Sequence, residues 1–204
     1  MYLVISENIP KQYIEKLHSL LPGSVYIQLS ASNNTYFSIA SHPDIFMCDI
    51  GNNTLIVAPS LPKPVIDHVR AAGRDVVYAE ASPAGTYPGT AMLNAVRVGK
   101  HLIHNLQSTD GGIKRFADKA GLKFIDVAQG YARCSVIPIT DTALITCDAG
   151  IAKETRKAGL DTLLISPGRI ILPGEQYGFI GGASGILPDG RILFLGDITK
   201  HPVS

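Results

Sequence analysis

Apolar residues recur at helical spacing in three stretches: VIDHVRAAGRDVVYAE, IKRFADKAGLKFIDVA and IAKETRKAGLDTLLIS, closing at Glu80, Ala128 and Ser166. Each carries basic residues late in its turns, where they complement the helix macrodipole. Each then reaches an Ala-Gly pair, and Gly73, Gly121 or Gly159 supplies the left-handed residue that closes a helix. The apolar runs that follow, VVYA, KFIDV and TLLIS, are too short for helices and predict buried strands. The N-terminal IPKQYIEKLHSLLPGSVYIQL is a looser copy, stopped by Pro22-Gly23.

A second pattern precedes each helix. HPDIFMCDIGNNTLIVAP, ARCSVIPITDTALITCD and GGASGILPDGRILFLGD each hold two apolar runs split by a turn cluster. The clusters are Gly51-Asn52-Asn53, Thr140-Asp141 and Pro188-Asp189-Gly190, all hairpin signals. TYPGTAMLNAVRVGKHLIHNL fits the same plan, with Val98-Gly99 at the turn. The unit is therefore hairpin, helix, strand, repeated roughly every 40–50 residues, a period at which stacked or ring-closed architectures occur. The last hairpin has no helix after it, and the first helix has no full hairpin before it. A ring whose ends meet accounts for both. The prediction is one α/β domain over residues 1–204, a pseudo-symmetric ring of about four units.

Composition narrows the class. The chain has 204 residues, 46% hydrophobic and 17% charged, so it can bury a sizeable core. A formal net charge of +1 with no long run of one sign argues against nucleic acid or a membrane surface as a partner. No apolar run reaches the roughly eighteen residues that span a bilayer. The start, MYLVISENIPKQYIEKL, lacks the features of a signal peptide. Cys48, Cys134 and Cys147 are odd in number and lack metal-ligand spacing, which fits a reducing cytoplasm and leaves the sequons at Asn33 and Asn52 without a role. There is no Gly-x-Gly-x-x-Gly and no Walker loop, so no phosphate cradle, cofactor or metal is expected.

Two stretches carry a resemblance. HPDIFMCDIGNNTLIVAP resembles the His-x-Asp strand of the guanidino-group modifying enzymes, the pentein or β/α-propeller superfamily. RKAGLDTLLISPGRIILPGEQYGFIGGASGIL resembles their final helix and strand, leading into a glycine-rich loop that ends in a nucleophilic cysteine. The resemblance implies a β/α-propeller with a narrow central channel and covalent chemistry: a thiolate attacks a guanidinium carbon, a histidine moves protons, and carboxylates hold the planar cation. Carried over by motif, His42 becomes the acid/base and Asp44 a guanidinium ligand. The loop here runs Gly181-Gly182-Ala183-Ser184-Gly185, so Gly185 stands in the nucleophile's place.

That substitution makes a small polar or guanidino-type ligand in the channel the leading expectation. Two alternatives stay open. One is a hydrolase or amidinotransferase-like enzyme using a displaced Cys134; the other is a scaffold protein resembling a ribosome anti-association factor of the same fold. GYARCSVI enters its hairpin as GFIGGASGI enters the last one, which would bring Cys134 to the ring centre, and alternation in a strand would put Arg133 on the face opposite Cys134. Ser184 is a candidate binding group, a displaced nucleophile or part of a structural glycine corner. Tyr87, Tyr131, Gly182, Ser184 and Gly185 are expected to line the ligand site with His42, Asp44 and Cys134. Cys48 and Cys147 are expected in the core, His101 and His104 on opposite strand faces, and Asp148 as a helix N-cap. A homo-oligomer is compatible with all of this.

Overall fold

The computed structural model describes residues 1–202. The chain opens with β1 (Tyr2–Ser6), α1 (Lys11–Leu20) and β2 (Val25–Leu29), β1 and β2 pairing in parallel. Three units of one plan follow. The first comprises α2 (Pro43–Phe46), β3 (Met47–Gly51), β4 (Thr54–Val57), α3 (Lys63–Ala71) and β5 (Asp75–Tyr78). The second has β6 (Val96–Val98), β7 (His101–His104), α4 (Gly111–Lys119) and β8 (Lys123–Asp126). The third has α5 (Ala132–Ser135), β9 (Val136–Pro138), β10 (Ala143–Thr146), α6 (Ala149–Lys157) and β11 (Asp161–Leu164). A last hairpin, β12 (Ser184–Ile186) and β13 (Ile192–Phe194), completes the fold.

In each unit the hairpin is antiparallel and the third strand joins parallel to the second, across the helix. The result is a mixed α/β protein of five small sheets. Local chemistry sets the boundaries. Asp110 and Asp148 cap α4 and α6, each side chain accepting from backbone N–H groups of the first turn. Gly73, Gly121 and Gly159 end α3, α4 and α6 at φ of 81°, 68° and 83°. The β3–β4 turn carries positive φ at Gly51, Asn52 and Asn53, a run that asparagine tolerates better than most residues.

The hairpins face one another through their first strands: β3 lies against β6, and β6 against β9. One core cluster spans the first and second units, from Ile45 and Ile56 to Leu102 and Ile113. Another joins the second unit to the third, through Val96, Ile103, Leu144 and Ile151. The two ends of the chain meet: Leu17 and Leu21 of the α1 region pack with Leu187, Leu193 and Leu195 of the last hairpin. Among the described residues no helix is long and apolar enough to cross a membrane.

Two expectations change. His42 and Asp44 do not lie on a strand; His42 is the N-cap of α2, a single helical turn that precedes β3. Tyr131, Arg133 and Cys134 likewise belong to the one-turn helix α5, with Tyr131 as its N-cap. Alternation therefore does not apply to Arg133 and Cys134. In both places the chain must turn sharply inward before its strand starts, and one helical turn does this while burying Ile45, Phe46, Ala132 and Cys134.

Candidate functional site

Four side-chain positions converge where the hairpins begin. Asp44, Asn94, Cys134 and Gly182 each stand two or three residues before the first strand of one hairpin. Equivalent points of four units thus contribute a carboxylate, an amide, a thiol and an open backbone. Cys134 Sγ donates to Asp44 Oδ2 at 3.0 Å. Asn94 Nδ2 donates to Cys134 Sγ at 3.2 Å and to the Asp44 carbonyl at 2.7 Å. Asn94 Oδ1 accepts from the Cys134 N–H at 3.0 Å, and its backbone carbonyl accepts from Arg133 N. The fully buried Asn94 amide therefore ties α5 to the end of α2.

Gly182 closes the group. Its N–H donates to the Cys134 carbonyl at 2.9 Å, and a side chain there would begin 3.8 Å from Cys134 Cβ and 4.0 Å from Asp44 Oδ2. Gly182 is exposed and Asp44 half-buried, so the cluster opens to solvent on this side. Gly181 must be glycine for a different reason: a Cβ would press on the carbonyl oxygens of Arg133, Cys134 and Val136. Arg133 fastens the same loop, donating to the carbonyls of Val136, Gly181 and Ser184 at 3.2, 3.0 and 3.4 Å.

Burial pushes the Cys134 thiol well above its ordinary pKa, and the charge of Asp44 and the bond to it push it further. Asn94 and Arg133 oppose this without prevailing. At neutral pH the sulfur is a protonated donor and not a nucleophile. Asp44 Oδ1 accepts no hydrogen bond among the described residues.

A wall of hydroxyls and rings stands beside the cluster. Tyr131 Oη bonds to Thr90 Oγ1 at 2.6 Å and to Tyr36 Oη. Tyr87 is half-exposed, its ring 5.8 Å from that of Tyr131. Burial raises the Tyr131 phenol above its usual range. Behind the wall His104 is fully buried: its Nε2–H donates to the Gly130 carbonyl and Nδ1 is hydrogen-bonded with Thr109 Oγ1, both at 2.7 Å. Burial lowers its pKa to about 4, so the ring is neutral and holds the chain in place just before Tyr131.

Residues 4–204 match the model of a family of unknown function, DUF6873. The chain belongs to that family. No curated protein matches it significantly. Among solved structures it is similar to SxtG, an amidinotransferase of saxitoxin biosynthesis from Microseira wollei, at 14% identity and a TM-score of 0.45, covering 79% of this chain and 64% of that one. It is also similar to the C. jejuni agmatine deiminase, at 14% identity and a TM-score of 0.42, with 76% and 56% covered. A third is the N-terminal domain of ArgZ, a cyanobacterial arginine dihydrolase, at 15% identity and a TM-score of 0.41, with 61% and 44% covered. The chain spans between 44% and 64% of the length of these proteins. All three are enzymes of guanidino chemistry. The likeness is loose, with all three TM-scores below 0.5.

The residues singled out in the sequence divide. Asp44, Cys134 and Gly182 meet directly, while Tyr131 and Tyr87 form the adjoining wall. His42 is half-buried at the head of α2, and its ring bonds to no other described residue. Ser184 lies on β12 opposite Phe194, its hydroxyl donating to the Gly181 carbonyl at 3.1 Å. Gly185 is in the same strand with open space where a Cβ would be. The residue that occupies the last hairpin's central position is thus Gly182, three positions before Gly185. Asn94 escaped notice because an asparagine ahead of a strand looks like an ordinary turn residue. Aligning the four hairpins by their strand starts would have shown it. Among the described residues no three His, Cys, Asp or Glu side chains are grouped to hold a metal. Clefts of ≈ 210 and ≈ 540 Å³ lie at the turn ends of the hairpins, around Arg97, Gly99 and Asp141, away from the cluster.

Proposed function

We propose that the chain binds a small compound bearing a guanidino or amidino group at Asp44, Asn94 and Cys134, and that in its resting form it binds without transforming. In this reading the units make a pseudo-symmetric ring whose first strands face a narrow channel. The contacts of β3 with β6 and β6 with β9, and the packing of the chain ends on each other, support that arrangement. The observation that carries the reading is the 3.0 Å contact of Cys134 Sγ with Asp44 Oδ2 near Gly182, while Oδ1 accepts no hydrogen bond among the described residues. A carboxylate with one free oxygen at an exposed glycine is a seat for a planar cation, which it holds by charge-assisted bonds. The His-x-Asp motif that places Asp44 selects the guanidino class.

The same contact favours a second reading, a hydrolase or amidinotransferase acting through Cys134. A cation seated on Asp44 would cancel the charge that helps keep the thiol protonated, and Asn94 Nδ2 already donates to the sulfur. The thiolate would then attack the amidino carbon, expelling an amine that takes up a proton. Water or a second amine would release the amidino group from sulfur. His42 would be the proton carrier.

Isothermal titration calorimetry with agmatine, butylguanidine and guanidine separates these outcomes when paired with intact-mass spectrometry. The binding reading expects heat of binding in the parent chain, at least about tenfold weaker affinity in Asp44→Asn, and no mass adduct. Equal binding by Asp44→Asn would sink it. An adduct mapped to Cys134, or release of ammonia or an amine, would establish the enzyme instead.

A further inference from the structure

The surroundings of the Asp44 seat bear on what the rest of the ligand must be. We propose that the bound compound has an uncharged or cationic far end and that a carboxylate there weakens binding. This rests on the reading of Asp44 as a cation seat.

The first ground is the state of Arg133. It is the cation that acts on Cys134, yet its guanidinium is committed to three backbone carbonyls of the loop that closes the site. Its fork of donors is turned to the protein and not to a ligand. A carboxylate arriving at the mouth would find no bidentate partner there.

The second ground is the loop itself. Residues 165–183 join β11 to β12, and the loop borders the site twice. At one end it supplies Gly181 and Gly182. Midway, Glu175 Oε1 accepts from Ser38 Oγ at 2.6 Å, and Gly174 lies against Ser38. Ser38 sits in a single 3₁₀ turn, Phe37–Ile39, whose last carbonyl accepts the His42 N–H. Glu175 is exposed and has no ion-pair partner among the described residues. It therefore places a negative charge on the loop that supplies Gly181 and Gly182, against the turn that leads into His42 and Asp44.

The third ground is the wall. Tyr36 precedes that same turn, and its hydroxyl bonds with those of Thr90 and Tyr131. These hydroxyls satisfy one another, and the half-exposed face of Tyr87 completes a surface of neutral rings. Aromatic faces attract cations and apolar chains and repel anions. Charge and surface thus agree.

Three probes of similar chain length test this by calorimetry at pH 8, where an ordinary histidine is neutral: butylguanidine, 4-guanidinobutylamine and 4-guanidinobutanoate. The amine is expected to bind as tightly as butylguanidine or tighter, and the butanoate about tenfold more weakly, the size of one charge interaction over ~10 Å near a protein surface. Glu175→Gln is expected to weaken the amine and so narrow its lead over the butanoate. Butanoate binding as tightly as the amine overturns the proposal and leaves the cation seat standing. A lead that Glu175→Gln does not narrow overturns the part assigned to Glu175. Failure of all three probes to bind overturns the seat at Asp44 and this inference with it.

Discussion

The buried cysteines and His104 owe the direction of their pKa shifts to desolvation before charge. Cys48 and Cys134 show this together: desolvation leads in raising both thiols, to about 12 for Cys48. Only Cys134 also has a carboxylate and an amide on its sulfur, which separates a core thiol from one in a site. Both were visible in the sequence as cysteines ahead of or within hairpins. The contact that distinguishes them joins residues 90 positions apart. His104 makes the opposite case. Its pKa falls from 6.5 to about 4 on folding, so the unfolded chain takes up the proton first. The stability this ring contributes is complete above about pH 6.5 and is lost as pH falls toward 4, roughly 3 kcal/mol in all. Urea titrations between pH 7 and 4 should show that loss in the parent chain and a shallower decline in His104→Gln. Equal slopes would mean that the ring is not held neutral.

The recurring hairpin, helix and strand were legible because each is a local matter. Apolar spacing, an Ala-Gly stop and a turn cluster act within a few residues, and α3, α4 and α6 all end at their expected glycines. The one-turn helices α2 and α5 were not legible. Four residues show no helical period, and Pro43 and the apolar run behind it read equally well as the start of a strand. What fixes them is tertiary: Asn94 satisfies the N–H groups of Arg133 and Cys134 in α5 and donates to the Asp44 carbonyl in α2. The glycine-rich loop divides in the same way. Its glycines announced a tight approach, but only the packed structure tells which of them is obligatory. Gly181→Ala should cost about 1–3 kcal/mol, because its Cβ meets three backbone carbonyls that cannot swing aside. Gly185→Ala, with open space around it, should be nearly neutral. Chemical denaturation of the two variants checks this, and equal losses would contradict the placement of Gly181.

At the level of the complete chain, the two ends depend on each other. The N-terminal β1-α1-β2 segment and the β12–β13 hairpin are each only a two-stranded sheet, which is marginal alone. Their leucines make one shared cluster. Leu187→Ala should therefore lower stability by about 2 kcal/mol or more and speed hydrogen exchange in β1 and β2, far away in sequence. Exchange that quickens only in β12 and β13 would show that the ends are independent. The repeated unit, its turns and caps, the buried strands and the pair His42 and Asp44 as a motif could all be read from residue order, since neighbours along the chain dictate them. Which residues face each other across the repeats could not. Asp44, Asn94, Cys134 and Gly182 come from four hairpins, and only tertiary packing, β3 on β6, β6 on β9 and the Gly182 N–H on the Cys134 carbonyl, brings a carboxylate to a thiol, fills the gap with an amide and leaves a glycine open to solvent.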